Sequence, residues 1–251
     1  MSDLSKIQIV TLDSPVEIWH DQNVRDLFVD LVQLKLDGYN HGYSGSSLKV
    51  LPFDATDFYG IHQAVCIREK GEFVPLLTYK SVPLDYCAQY SHPLSVELLA
   101  SSTGDARYLS AIRDYLLKAK EDKKRISYDS SLTIDPTIED VELRYEVFRV
   151  FVAAAMYHMC AYGIDNNIIS ATSKFKTEKT FKKMGCERLA YNGIDLPPAQ
   201  VSTLSNEEVL FFVGDRDFPA WGRRIMKEYK SLWDQRIIYS PSECNNSHRA
   251  A

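Results

Sequence analysis

The sequence predicts a mixed α+β fold on three observations. Strand-like runs that alternate apolar and polar residues fill much of the first half, strand and helix runs alternate in the second, and long helical stripes accompany both. Its 251 residues, 45% of them apolar, can bury a substantial core, and no repeat or low-complexity linker divides them. One domain over residues 1–239 and a disordered polar tail over 240–251 are therefore expected.

KIQIVTL alternates as a first strand, ended by Ser14 and Pro15. In the following VEIWHDQNVRDLFVDLVQLKL, residues Val24, Leu27, Phe28, Leu31, Leu34 and Leu36 form a helical stripe. DGYNHGYSGSS has the Gly, Ser and Tyr content of a loop, and its His41, flanked by Tyr39 and Tyr43, is the histidine expected nearest a pocket. HQAVCIRE and FVPLLTYKSV make a hairpin around Lys70 and Gly71. SVELLASS leads into ARYLSAIRDYLLKAKEDKK, a helix with lysines at its C-terminal end, where the helix dipole favours them. RISYDSSLTI is a strand, and the helix expected over 138–162 ends at Gly163, a C-cap residue. NNIISATS is a short strand, KFKTEKTFKKM a helix stopped by Gly185, EEVLFFVG a late strand and PAWGRRIMKEYKSLWDQRI a final amphipathic helix.

A net charge of −5 argues against a general nucleic-acid binder, because phosphate recognition needs a concentrated positive surface. The five cysteines are odd in number, widely spaced and free of any CxxC pair, which disfavours a disulfide framework or zinc knuckle and fits a reducing, cytoplasmic setting. MSDLSKIQIV lacks the basic and apolar regions of a secretory signal. VFRVFVAAAMYHMCAYG is interrupted by Arg149 and His158, so it is expected as a buried helix rather than a membrane span. His158 and Cys160, two apart on that helix, do not share a face and make no metal pair. No G-x-S-x-G, Walker loop, H-E-x-x-H or G-x-G-x-x-G is present.

From Ile126 to Leu189 the order is strand, Asp-Pro, long helix ending in Gly, short strand, short helix and then KKMGCE. This resembles the second half of the GNAT acyltransferase fold, a mixed sheet whose splayed central strand and following helix receive an acyl-pantetheine arm. Matched to that family's F-Y-x-K-x-G-F segment, Phe181 stands at the usual Tyr, Lys183 at the Lys, Gly185 at the Gly and Cys186 at the final Phe. The family's glycine-rich phosphate loop corresponds to TIEDVELRYE, which has no glycine and carries Glu139, Asp140 and Glu142. Glycines let backbone N–H groups wrap a diphosphate, whereas these acids complement the helix dipole and repel phosphate. Phe181 also lacks the ionisable group with which a tyrosine protonates a leaving thiolate.

Both departures are less damaging for one branch, the acyl-homoserine lactone synthases and N-acyl amino acid synthases, which also lack the glycine loop. LPFDATDFYGIHQAVCIREKGEFVPLLTYKSV resembles their acidic hairpin region, and TEKTFKKMGCERLAYNG resembles their later E-R, R and G segment. The resemblance covers roughly residues 16 to 215. It implies an acyl donor, acyl-CoA or acyl-carrier protein, as co-substrate, no tightly bound cofactor or metal, and a small-molecule amine as acceptor. It sets Asp129 at the acid of the central-strand motif, near the acceptor amine, and Ser131 at its arginine. A carboxylate there could deprotonate the amine; a strand-end hydrogen bonder is the alternative. Ser130, Ser131, Leu132 and Thr133 would meet the thioester through the backbone. Asp54 and Asp57 match acids that bind the amino-containing substrate, or serve as turn caps, and Lys80 stands at the hairpin arginine. Lys174, Lys176, Lys179, Lys182 and Lys183, joined by Arg144 if the helices are adjacent, would dock an anionic donor, or form a solvated face. Three readings remain open: an N-acyltransferase close to this branch, a GNAT-fold binding or regulatory protein without catalysis, and an ordinary acetyltransferase with an atypical phosphate site.

Overall fold

A computed structural model describes residues 6–44, 52–201, 204 and 207–242. Strand β1 (Ile7–Asp13) leads through a 3-10 turn at Pro15–Ile18 into helix α1 (Gln22–Gly42). The short α2 (Thr56–Tyr59) precedes the hairpin of β2 (Ile61–Glu69) and β3 (Glu72–Pro83). Three helices follow: α3 (Leu84–Gln89), α4 (Ser95–Ser101) and α5 (Ala106–Glu121). Then come β4 (Ile126–Ile134), α6 (Val141–Ala161), β5 (Asn166–Thr172) and α7 (Glu178–Met184). Four short strands, β6 (Glu187–Arg188), β7 (Ala190–Tyr191), β8 (Ile194–Asp195) and β9 (Ala199–Val201), lead to β10 (Glu207–Asp215). Helices α8 (Ala220–Glu228) and α9 (Lys230–Asp234) precede β11 (Ile237–Tyr239).

The main sheet runs β11-β1-β2-β3-β4-β5-β10-β6, with β9 also on β10. Its pairs are antiparallel except β1 with β11 and β4 with β5. Because side chains alternate across a strand, neighbouring residues serve opposite faces. On one face Ile9, Ile169 and Phe212 pack with Val150, Phe151 and Met156 of α6 and with Ile225 and Trp233 from α8 and α9. On the other, Val10 and Leu12 meet Val24, Phe28 and Leu31 of α1, while Tyr128, Ile168 and Phe211 meet Tyr108 and Ile112 of α5. With both faces covered, the middle of β3 is continuously buried from Pro75 to Pro83. No described helix is long and apolar enough to cross a membrane.

The hairpin around Lys70 and Gly71, the α6 helix and the Gly185 stop, at φ +96°, match the sequence expectation. Three elements differ. Asp37 to Gly42 is the end of α1 rather than a loop. Gly38 there is a packing residue: an added Cβ would lie 2.3 Å from Thr133 Cγ2, so the missing side chain lets the helix lie on β4. The run KFKTEKTFKKM becomes helical only at Glu178, after a 3-10 turn at Ser173–Phe175 and a left-handed Lys176. The expected single final helix is broken at Tyr229, a buried residue whose hydroxyl donates to Glu146 Oε1 at 2.7 Å. The remaining segments of the expected loop and tail, 45–47 and 243–251, lie outside the described residues.

Gly38→Ala forces α1 away from β4 and is expected to cost about 1–3 kcal/mol of unfolding free energy. Adding Thr133→Ser, which removes the clashing methyl, should restore most of that loss in denaturant titrations; independent, additive losses would refute the close-approach account.

Candidate active site

β4 and β5 pair in parallel from Ile126 and Asn166 as far as Asp129 and Ile169, and then part. β3 follows β4 further, to the pair of Leu77 with Ile134. Along that seam the register slips between Thr78, opposite Thr133, and Lys80, opposite Ser130. Tyr79 therefore faces two residues, Ser131 and Leu132, and Ser131 takes the left-handed backbone at φ +58°. That is a β-bulge, and a non-glycine residue held there costs roughly 1–2 kcal/mol. Such local strain clusters at sites that re-aim backbone or side chains.

The divergence opens a cleft of about 460 Å³, including space continuous with solvent. Its apolar wall is Phe151, Ala155 and Met159 of α6 with Phe181 and Met184 of α7. Its polar end is formed by Asp129, Ser130, Asn167 and Ser170, with Tyr79 beside them. Asp129 is only 8% exposed. Ser127 Oγ donates to its Oδ1 at 2.9 Å and Asn167 Nδ2 to its Oδ2 at 2.7 Å. Burial pushes the Asp129 carboxyl above its ordinary range, and these hydrogen bonds oppose the rise. A carboxyl with raised proton affinity, fixed at the polar end of an apolar cleft, is equipped to accept a proton.

Asp54, Asp57 and Lys80 come together across β3 from this point, with Lys80 the register partner of Ser130. Asp57 is fully buried; its Oδ1 pairs with Lys35 and its Oδ2 lies 2.7 Å from Lys80 Nζ. Lys80 also reaches Asp54 Oδ1 at 3.0 Å. Burial alone would raise the Asp57 carboxyl, but Lys35 and then Lys80 outweigh it and hold it far below the usual carboxylate range. The same burial lowers the Lys35 ammonium, against the pull of Asp57. Two buried ammoniums and two carboxylates thus balance one another, and Asp54, with its side chain 47% exposed, is the member that meets solvent. His62 braces the group by donating from Nε2 to the Asp57 carbonyl at 2.8 Å.

The other expected residues are more dispersed. His41 is exposed in the last turn of α1 and joins neither the cleft nor the charge group. Arg144 is exposed near the start of α6 and makes no ion pair among the described residues. Lys174 is held by Glu207 at 3.2 Å and lies over the Tyr43 ring, and Lys182 pairs with Glu178 at 3.0 Å. Lys176 is exposed, at the end of the 3-10 turn. At the glycine-free corner, Asp140 accepts from the amides of Glu142 and Leu143, so the helix caps itself with its own carboxylate. Phe181 is buried against Phe212, with ring centroids 5.6 Å apart.

Sequence reasoning passed over Lys35, Asn167 and Tyr79. Lys35 did carry a signal: it stands four residues after Leu31, on the apolar stripe of α1, where an unpaired ammonium would be costly. Asn167 and Tyr79 are ordinary strand residues until the β3-β4-β5 register places them at the cleft.

No family model matches the chain, and no curated protein matches it. Solved structures do. A CoA-dependent acyl-homoserine lactone synthase, BjaI, with SAM and isopentyl-CoA aligns at TM-score 0.53 and 12% identity over 93% of this chain and 92% of its own. The same synthase with MTA aligns at TM-score 0.51 and 12% identity over the same shares, 93% and 92%. The chain shares its fold with this CoA-dependent acyl-homoserine lactone synthase. FeeM, an N-acyl amino acid synthase from uncultured soil microbes, aligns at TM-score 0.49 and 13% identity over 86% of this chain and 92% of its own. The parted strands expected of a GNAT-like sheet are those of β4 and β5.

Two measurements test the electrostatics of this fold. Asp57→Asn leaves two ammoniums without their shared buried carboxylate and should destabilise the chain by about 3–5 kcal/mol, whereas Asp54→Asn, at the solvent edge, should cost about 1 kcal/mol or less. Comparable losses would contradict the division of roles. The second concerns His62 and His158, which burial holds neutral with pKa values pushed down to about 3. An unfolded histidine titrates near 6.5, so below that pH the unfolded chain binds protons that the folded chain refuses. Stability is thus greatest above about pH 6.5 and declines as pH falls toward about 3. Unfolding curves from about pH 7 to 4 should show this decline, with a shallower slope in His158→Gln; an unchanged slope would contradict it.

Proposed function

We propose that the chain is an N-acyltransferase that moves an acyl group from a pantetheine thioester to the amine of an amino acid or similar small molecule. The observation that carries this reading is the cleft between β4 and β5, apolar along its length and closed at one end by a buried, hydrogen-bonded carboxylate. An acyl chain lies against Phe151, Ala155 and Met159, and the thioester carbonyl meets the backbone of β4 from Ser130 to Thr133, beyond the last pair with β5. The amine must lose its proton to become a nucleophile, and Asp129 takes it, directly or through one water. Asp54 offers a carboxylate to the acceptor's ammonium, while Asp57, Lys35 and Lys80 hold that carboxylate in place.

With the α6 corner capped by Asp140, no glycine-amide cradle for a diphosphate stands there, and an anionic donor would meet Arg144 and Lys176, which are exposed and make no ion pair among the described residues. Acyl-carrier protein and acyl-CoA are both anionic and are both candidate donors. BjaI is described as CoA-dependent, so both donors are to be offered. A second reading, binding of a thioester without turnover, draws on Phe181, which is buried and has no proton to give at the family's tyrosine position.

Purified protein supplied with acyl-carrier protein or acyl-CoA and a pool of amino acids, followed by mass spectrometry, separates the two. An N-acyl product establishes transfer; saturable thioester binding with no product establishes the binding protein. Asp129→Asn should lower kcat by on the order of 100-fold or more with the fold retained. Unchanged turnover would remove Asp129 from the mechanism.

A further inference from the structure

Cleaving a thioester releases a thiolate, and in a water-poor cleft that anion is costly until it is protonated. Asp129 serves the other side of the exchange, as the base for the amine. Of the other polar groups around the cleft, the Ser170 hydroxyl bonds the Tyr128 hydroxyl at 2.6 Å and the Asn167 Nδ2 donates to Asp129; the Asn167 Oδ1, which has no partner among the described residues, can only accept and has no proton for sulfur.

Tyr79 is different. It is 3% exposed, it lines the cleft, and its hydroxyl has no hydrogen-bond partner among the described residues. A buried hydroxyl left unpaired in a folded protein calls for an explanation, and one explanation is a ligand that supplies the missing bond. Its place on the sheet is specific. The slip of register sets Tyr79 opposite Ser131 and Leu132, the stretch of β4 proposed to hold the thioester carbonyl, and Asp129 is paired two residues further along β3, with Ser81. The ring is fixed edge-on against Phe151, with centroids 5.1 Å apart, and against His158 at 6.3 Å. Burial, with the Asp129 carboxylate and the Tyr162 hydroxyl nearby, pushes the phenol well above its ordinary value, so it keeps its proton at neutral pH.

On the acyl-transfer reading above, we infer that Tyr79 is a catalytic residue whose hydroxyl donates a proton to the sulfur of the leaving pantetheine. The amine, its ammonium proton already passed by Asp129 to water, attacks the thioester carbon through nitrogen, forming the C–N bond and moving the carbonyl pair onto oxygen, and the nitrogen, now cationic, gives a second proton to Asp129. As that pair returns, the C–S bond breaks with its electrons on sulfur, and sulfur takes the proton from Tyr79. This second proton returns from Asp129 to the Tyr79 oxygen through water when products leave. From an ammonium and a thioester the sum is an amide, a thiol and one proton released to water, with both side chains restored.

Tyr79→Phe keeps the ring and removes the donor. It is to be compared with the wild-type chain on two donors of the same acyl length, a pantetheine thioester and an S-phenyl thioester whose thiolate leaves without a proton. The expected result on the pantetheine donor is a loss of kcat on the order of 100-fold with little change in KM. On the phenyl donor, Tyr79→Phe should run within a few-fold of wild type. Equal losses on both donors mean that the hydroxyl only supports the fold, and no loss on the pantetheine donor means that sulfur takes its proton elsewhere; either overturns the inference. A wild-type chain inactive with every pantetheine donor overturns the acyl-transfer reading itself, which separates the two failures.

Discussion

The parting of β4 from β5 after Asp129 is the constraint from which the rest of the site follows. A continuous sheet would bond every peptide group of β4 on both edges and leave no room between its strands. Here one edge stays paired to β3 as far as Ile134 while the other is released, and the bulge at Ser131 accommodates the mismatch. The space between the strands needs a floor, which α6 and α7 supply, and a reason for a carboxylate to remain inside it, which Ser127 and Asn167 supply.

The two faces of the sheet divide the work. On the α6 face the cleft is apolar, suited to hydrocarbon and to a reaction that gains from excluding water. On the α1 face lies the group of Lys35, Asp57, Lys80 and Asp54, a polar cluster stable only while each charge keeps its partner. Lys80 links the faces through β3, since its strand neighbours Tyr79 and Ser81 point the other way. The close approach of Gly38 to Thr133 lays the end of α1 on β4 just beyond the bulge.

Much of this arrangement was legible in the sequence. The hairpin, the long α6 helix, the Gly185 stop and the strand at Asp129 all follow from period and capping. The loss of the phosphate corner was legible too, because acids in place of glycines at a helix start predict the self-capping made by Asp140. What escaped depends on distant pairing. Gly38 and Tyr39 have loop composition, yet Thr133 on β4 makes that stretch helical packing. The strands β6 to β9 and β11 are too short to display a period, and β11 exists because β1 offers it a parallel edge. The lysines after β5 promised an anion dock, but Glu178 and Glu207 occupy two of them, one of those acids more than thirty residues away in sequence.

The central claim is that the space between β4 and β5 receives an acyl-pantetheine arm. Calorimetric titration with a non-hydrolysable acyl-pantetheine thioether, on the wild-type chain and on Ala155→Trp, tests it most directly, because Ala155 lines the cleft and a tryptophan would fill it. The account predicts saturable binding by the wild-type chain and its loss in Ala155→Trp, with cooperative unfolding retained. Binding of equal strength to both, or none to the wild-type chain, would contradict it.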